Sequence, residues 1–150
     1  MTLHFAFGSN MSRTLMCRRC PGARGLGSAR LDGWRFIITR DGYASLVRDP
    51  GARVHGVLWR LTPRDLAALH AYEQHAYLRR IVPVRHGARR RPALIYLAPE
   101  RGGGAARPGY QELVVAAARD WKLPAAYVAG LARWIPGFHG KLGVATGEMG

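Results

Sequence analysis

Leu3-His4-Phe5-Ala6-Phe7-Gly8-Ser9-Asn10 is the stretch on which the reading of this chain turns. Leu3, Phe5 and Phe7 alternate with His4 and Ala6, the period-two pattern of a strand, and Gly8-Ser9-Asn10 then breaks it. Residues from about Ser12 to Cys20 suit a short helix, with Asn10 or Ser12 as its N-cap and Pro21-Gly22 as its stop. A strand therefore runs through a tight loop into a helix. At such a junction several main-chain N–H groups converge without internal partners, which favours an anion. Glycine lets a ligand approach the backbone closely, and Ser9 and Asn10 add short polar side chains. An ordinary capping turn uses the same residue types, so these three residues alone leave both readings open.

Beyond this opening the pattern is that of a meandering, mainly antiparallel sheet. Three strands are expected between residues 29 and 61: Gly33 to Arg40, Tyr43 to Val47 and Val54 to Leu61, punctuated by Asp41-Gly42 and Asp49-Pro50-Gly51. The next helix is the best specified. Thr62 caps it, Pro63 takes its first position, Asp65 completes a capping-box spacing and Leu61 can staple to Leu66; it runs to about Glu73. Two further strands, Leu78 to Arg85 and Pro92 to Ala98, follow, with Gly87 and Arg89-Arg90-Arg91 in the turn and Pro83 marking an edge or bulge. Gly102-Gly103-Gly104 reads as a flexible loop before a helix from about Tyr110 to Trp121, and Pro124 opens a last helix that stops at Pro136-Gly137. The expectation is one α+β domain over residues 1–137, followed by a mobile tail over 138–150.

Hydrophobic residues at 48% and charged residues at 21% fit a folded globular core and exclude a disordered chain. The net charge, 23 − 9 = +14, raises the question of nucleic acid or an anionic substrate. The excess is almost wholly arginine, Lys122 and Lys141 being the lysines, and it is spread along the chain without a nucleic-acid-binding motif. Compositional drift explains it as well, and no nucleic-acid partner is expected. No signal peptide or membrane-spanning run is read, so the expected location is cytoplasmic. Cys17 and Cys20 form a C-x-x-C pair without a second pair, which favours two small helix residues over a metal or redox centre. The six histidines lack metal-ligand spacing, and no G-x-S-x-G, P-loop or G-x-G-x-x-G fingerprint occurs; neither metal nor cofactor is expected.

Glu73 is the most telling acid. It shares a helix face with Leu66 and Leu69, and a carboxylate at the negative end of a helix dipole is not there for local stability. Burial would raise its pKa and improve it as a general base for an ammonium proton. A frayed last-turn glutamate paired with Arg79 or Arg80 is the competing reading.

Taken in order, these segments resemble the γ-glutamylcyclotransferase and AIG2-like family. His4-Phe5-Ala6-Phe7-Gly8-Ser9-Asn10 is similar to its Y-F-A-Y-G-S-N opening, and Asp49-Pro50-Gly51-Ala52-Arg53-Val54-His55-Gly56-Val57-Leu58-Trp59 to its P-G-x-x-V-x-G-V-x-W stretch. Leu69-His70-Ala71-Tyr72-Glu73 falls where L-D-x-x-E carries the catalytic glutamate, and Tyr77 and Tyr110 match two later tyrosines. The resemblance implies a small, closed or nearly closed antiparallel barrel with flanking helices, acting on a γ-glutamyl small molecule. Glu73 would be the general acid/base, and the segment from His4 to Asn10, with Tyr77 and Tyr110, would hold the substrate while 5-oxoproline is formed by intramolecular aminolysis. A noncatalytic module that keeps the barrel and holds an anionic metabolite or partner is the alternative. Three positions depart from the family pattern: Phe7 for tyrosine, His70 for aspartate and Gln74 for glycine.

Overall fold

The computed structural model describes residues 1–74, 78–99 and 101–138. Strand β1 (Thr2–Ala6) leads through a 3-10 turn (Ser9–Met11) into helix α1 (Arg13–Arg19), as the opening alternation implies. Of the two expected caps it is Ser12 that serves α1, its hydroxyl accepting the Leu15 N–H at 3.2 Å. Strands β2 (Arg24–Ile38) and β3 (Ala44–Leu61) form one long hairpin. Helix α2 (Pro63–Tyr72) follows, then the hairpin of β4 (Leu78–His86) and β5 (Arg89–Leu97), and finally α3 (Tyr110–Asp120) and α4 (Ala125–Ala132). The strands close into a barrel in the order β1-β3-β2-β4-β5. Among the described residues only the seam between β1 and β5, at His4 and Leu94, is parallel.

Where three strands were expected between residues 29 and 61, there are two. Asp49-Pro50-Gly51 does not end a strand. In the register, Asp32 faces Arg53 and Trp34 faces Arg48, so the single residue Gly33 opposes residues 49–52 in a bulge. A bulge absorbs a proline, which has no N–H to give the ladder, and Gly51 and Gly33 supply the positive φ values, 89° and 85°, that the detour needs. The strand before it also starts early: Gly25 and Gly27 pair with Trp59 and Leu58, positions where glycine leaves no polarity pattern to read.

One other expectation shifts. Arg89, Arg90 and Arg91 belong to β5, and the turn is Gly87-Ala88. Pro83 and Pro92 stand directly opposite each other across β4 and β5, a pairing in which neither missing N–H costs a ladder bond. The Gly102-Gly103-Gly104 loop lies against the end of β2, with the Gly104 N–H on the Ile38 carbonyl at 3.3 Å.

Helix α2 starts as expected. Thr62 and Asp65 form a reciprocal capping box (3.1 and 3.2 Å), and Asp65 also accepts the Gly22 N–H at 3.1 Å, tying α2 to the end of α1. The core runs through the barrel, where Phe5, Val54, Val57, Leu58, Leu61, Val84 and Ile95 are fully buried, and out to α3 and α4. Burying side chains of this size contributes roughly 1.5–3 kcal/mol each. Among the described residues no helix is long and apolar enough to cross a membrane. Tyr77 and the expected tail from residue 139 onward lie outside the described residues.

Candidate active site

The barrel wall opens into a cavity of about 440 Å³ at the end of β1. Every residue from His4 to Asn10 lines it, and Glu73, Tyr96 and Tyr110 close it from α2, β5 and α3. The turn comes this close because residue 8 has no side chain: a Cβ there would lie 2.9 Å from both the Ala44 Cβ and the Tyr110 hydroxyl. That hydroxyl accepts the Ala44 N–H at 3.1 Å and bonds to Ser9, and burial raises its pKa.

Glu73 is the C-cap of α2, its N–H on the Leu69 carbonyl at 2.8 Å. It is half-buried rather than enclosed by apolar side chains as expected, because the helix ends there and the carboxylate turns into the cavity. There it accepts a hydrogen bond of 2.8 Å from Asn10 Nδ2.

Asn10 is held on every side. Its carbonyl oxygen accepts the Trp59 Nε1–H at 3.0 Å and its Oδ1 accepts from Arg19 Nη1 at 2.5 Å. A guanidinium only donates, so this contact turns the amide nitrogen toward Glu73. The same nitrogen makes a long contact of 3.5 Å to His4 Nε2. The His4 Nδ1 must be the protonated nitrogen, since its partner at 3.0 Å is the Leu94 carbonyl, and Nε2 is then free to accept. Arg19 also reaches Ser9 Oγ at 3.2 Å, donates to the Tyr72 hydroxyl and lies 3.7 Å from the Tyr72 ring centre.

Burial pushes the His4 pKa down from 6.5 to about 4, against the opposing effect of the Leu94 hydrogen bond. Between those two values the unfolded chain binds a proton that the native state refuses, so stability present above pH 6.5 is lost as pH falls toward 4. The expected loss is about 3 kcal/mol. Urea unfolding at pH 7 and at pH 4.5, for the wild type and His4→Gln, measures it; equal pH dependence in the two proteins would contradict a buried neutral His4.

Sequence reasoning missed Arg19, Tyr43, Tyr72 and Tyr96, all of which line the cavity. Nothing distinguishes Arg19 in a chain so rich in arginine. His70, one of the three departures, is hydrogen-bonded through Nδ1 to the Tyr96 hydroxyl at 2.7 Å. Phe7 is buried with its ring tilted against Phe5, and Gln74 is exposed. Cys17 is exposed, whereas Cys20 is buried with its thiol on the Asp65 carbonyl at 3.5 Å and its pKa pushed up by burial to about 11. Among the described residues no group of three His, Cys, Asp or Glu side chains is arranged to hold a metal.

Residues 4–123 match the profile of the family described as gamma-glutamyl cyclotransferase, AIG2-like. The chain belongs to this family. Its fold is that of a solved protein named gamma-glutamyl cyclotransferase, with a TM-score of 0.80 and 24% identity over 87% of this chain and 85% of that one. The human protein loc79017 is equally similar, with a TM-score of 0.79, 24% identity and the same coverage. YkqA from Bacillus subtilis matches with a TM-score of 0.76 and 24% identity over 91% of this chain and 55% of its own. Among curated proteins none matches in sequence. The γ-glutamylcyclotransferase-like barrel expected from the opening motif is the fold this chain has. Family and fold together support a γ-glutamylcyclotransferase-like function, in a family that acts on small γ-glutamyl substrates.

Proposed function

We propose that this protein releases 5-oxoproline from a γ-glutamyl amino acid, peptide or amine, with Glu73 as general acid/base. The observation that carries the reading is the Glu73 carboxylate lining a cavity of about 440 Å³, with the Asn10 amide donating to it at 2.8 Å. The amide nitrogen can only donate to this carboxylate, so the contact fixes the orientation of Glu73 at the cavity wall.

The reaction needs little else. The substrate folds so that its α-nitrogen approaches its own γ-carbonyl carbon. Glu73 takes a proton from the α-ammonium, the freed amine attacks the carbonyl, and a tetrahedral oxyanion forms. Glu73 returns that proton to the leaving nitrogen as the oxyanion collapses and the bond from the γ-carbonyl carbon to that nitrogen breaks. The ring nitrogen then gives up its second proton, which Glu73 passes to the departing amine, so that the amine leaves as an ammonium ion. One C–N bond forms, one breaks and the proton balance is zero. Because nucleophile and electrophile belong to one molecule, holding the folded conformer supplies much of the acceleration. The Gly8-Ser9-Asn10 turn would meet the developing negative charge with main-chain N–H groups, and Tyr110, whose hydroxyl bonds to Ser9, would position the substrate beside that turn.

Arg19 enters this scheme as a positioning residue, because its bond to Asn10 Oδ1 decides which end of the amide meets Glu73. Arg19→Gln is expected to lower kcat about 10–100-fold, the scale of one hydrogen bond to a charged group, with a smaller change in KM. Steady-state kinetics check this, and Arg19→Lys should recover part of the loss. The whole reading is tested by incubating the protein with a panel of γ-glutamyl amino acids, peptides and amines and detecting 5-oxoproline by mass spectrometry. Release from at least one compound is expected, and binding without release across the panel would favour the noncatalytic module instead.

A further inference from the structure

A second cavity, sharing no lining residue with the first, lies where one seam of the barrel comes apart. Strands β2 and β4 pair at Arg30 and Arg85. Past that pair Pro83 has no N–H to continue a ladder, and the bulge at Gly33 turns β2 aside. The strands splay and leave a cleft of about 240 Å³. Leu31, Trp34 and Val82, buried to 5% exposure or less, line it together with Arg30, Arg48, Arg85 and Arg90.

The charges do not balance. The one acid in the cleft, Asp32, is already held by Arg30 through two contacts, Nε to Oδ1 at 2.8 Å and Nη2 to Oδ2 at 3.1 Å. Asp49, beside Arg48 in the chain, is bridged to Arg35 at 3.1 Å. Among the described residues Arg48, Arg85 and Arg90 have no ion-pair partner, and Arg80 adds a further positive charge above Trp34. Several guanidinium groups around a partly apolar cleft repel one another, and an anion with several charges relieves that repulsion. The guanidinium fork matches phosphate oxygens in geometry as well as in charge.

We propose that the cleft between β2 and β4 is a binding site for a small polyphosphate anion of the pyrophosphate or tripolyphosphate class, held by Arg48, Arg85 and Arg90. A single carboxylate would neutralise one of these three groups, whereas a polyphosphate meets all of them. Nucleic acid fits less well. Binding of single strands relies on exposed aromatic faces on which bases stack. The one aromatic ring in the cleft, Trp34, is 5% exposed, with the Arg48 and Arg80 guanidinium carbons 5.2 and 5.8 Å from its ring centre.

The test is calorimetric titration of the full chain with sodium pyrophosphate and tripolyphosphate at about 0.15 M salt, where surface charge is screened beyond about 8 Å. One saturable site is expected. The Arg85→Ala, Arg90→Ala double variant should weaken binding about 30-fold or more, from the loss of two charge-assisted contacts. Arg64→Ala with Arg101→Ala, two exposed arginines outside the cleft, should change it less than about 3-fold, the range expected of screened surface charge. Asp32→Asn should tighten binding several-fold, a gain that misfolding cannot mimic. A nucleoside triphosphate should bind as tripolyphosphate does, because the base finds no stacking face. Equal losses in the two double variants would trace binding to the net charge and overturn the site. So would the absence of saturation at about 1 mM ligand, an affinity too weak for three guanidinium groups lining one cleft. A short oligonucleotide that binds much more tightly than tripolyphosphate through Arg85 and Arg90 would overturn the ligand class in favour of nucleic acid.

Discussion

Glu73→Gln is expected to lower kcat for 5-oxoproline release by about 10³-fold, within the range that a positioned general acid/base supplies. The substitution is nearly isosteric. The new amide oxygen can still accept from Asn10 Nδ2, where the carboxylate accepts at 2.8 Å, so the cavity keeps its shape. What is lost is basicity: a carboxamide takes no proton from an α-ammonium group near neutral pH and has none to hand back to the leaving amine. Because the side chain is half-buried, the variant should melt within a few degrees of the wild type, in line with substitutions outside the packed core. The substrate should still bind, now with little turnover. Single-turnover assays and calorimetry on the variant separate these effects, and turnover within tenfold of the wild type would remove Glu73 from its role.

Gly56→Ala should destabilise the fold by about 3 kcal/mol, at the upper end of typical overpacking costs. A Cβ at this position would lie 2.2 Å from the Ala6 carbonyl oxygen and 2.9 and 3.0 Å from atoms of the Phe5 ring. The ring has little freedom in a full core, and the carbonyl belongs to the backbone, so β1 itself must move away from β3. β1 carries His4 and leads directly into the Gly8 turn, so the fraction that still folds should also turn over more slowly. Gly130→Ala in α4 is the matched control. A Cβ there meets nothing within 4 Å, and alanine in a helix interior should stabilise by roughly 0.5–1 kcal/mol. Urea titrations of the two variants are expected to move in opposite directions, and a Gly56→Ala midpoint equal to that of the wild type would mean that β1 and β3 are not held so closely.

Gly56 also illustrates how far the sequence could be read. Its position in the Asp49–Trp59 stretch supported the resemblance, yet only the packing of β1 on β3 gives it a physical reason. The start of α2 was fully legible, because Thr62, Pro63 and Asp65 act on backbone groups within three residues of themselves. The break expected at Asp49-Pro50-Gly51 failed for the opposite reason. Proline and glycine end an isolated strand, but here the long pairing of β2 with β3 on both sides of the bulge outweighs the local signal. The arginines of β5 misled in the same way, since exposed strand positions tolerate charge as readily as a turn does.

At the cavity the division is sharper. The alternation from Leu3 to Phe7 and the turn after it determined a strand, a loop and a helix start, and the order of segments determined the barrel family. Only the tertiary structure decided that Asn10 meets Glu73, 63 residues away, that Arg19 orients that amide, and that His4 stands neutral behind it. Propensity and capping act over a few residues along the chain and are written in local sequence. Hydrogen bonds between distant side chains, and the pKa shifts that burial causes, exist only once the barrel has closed and taken those groups out of water.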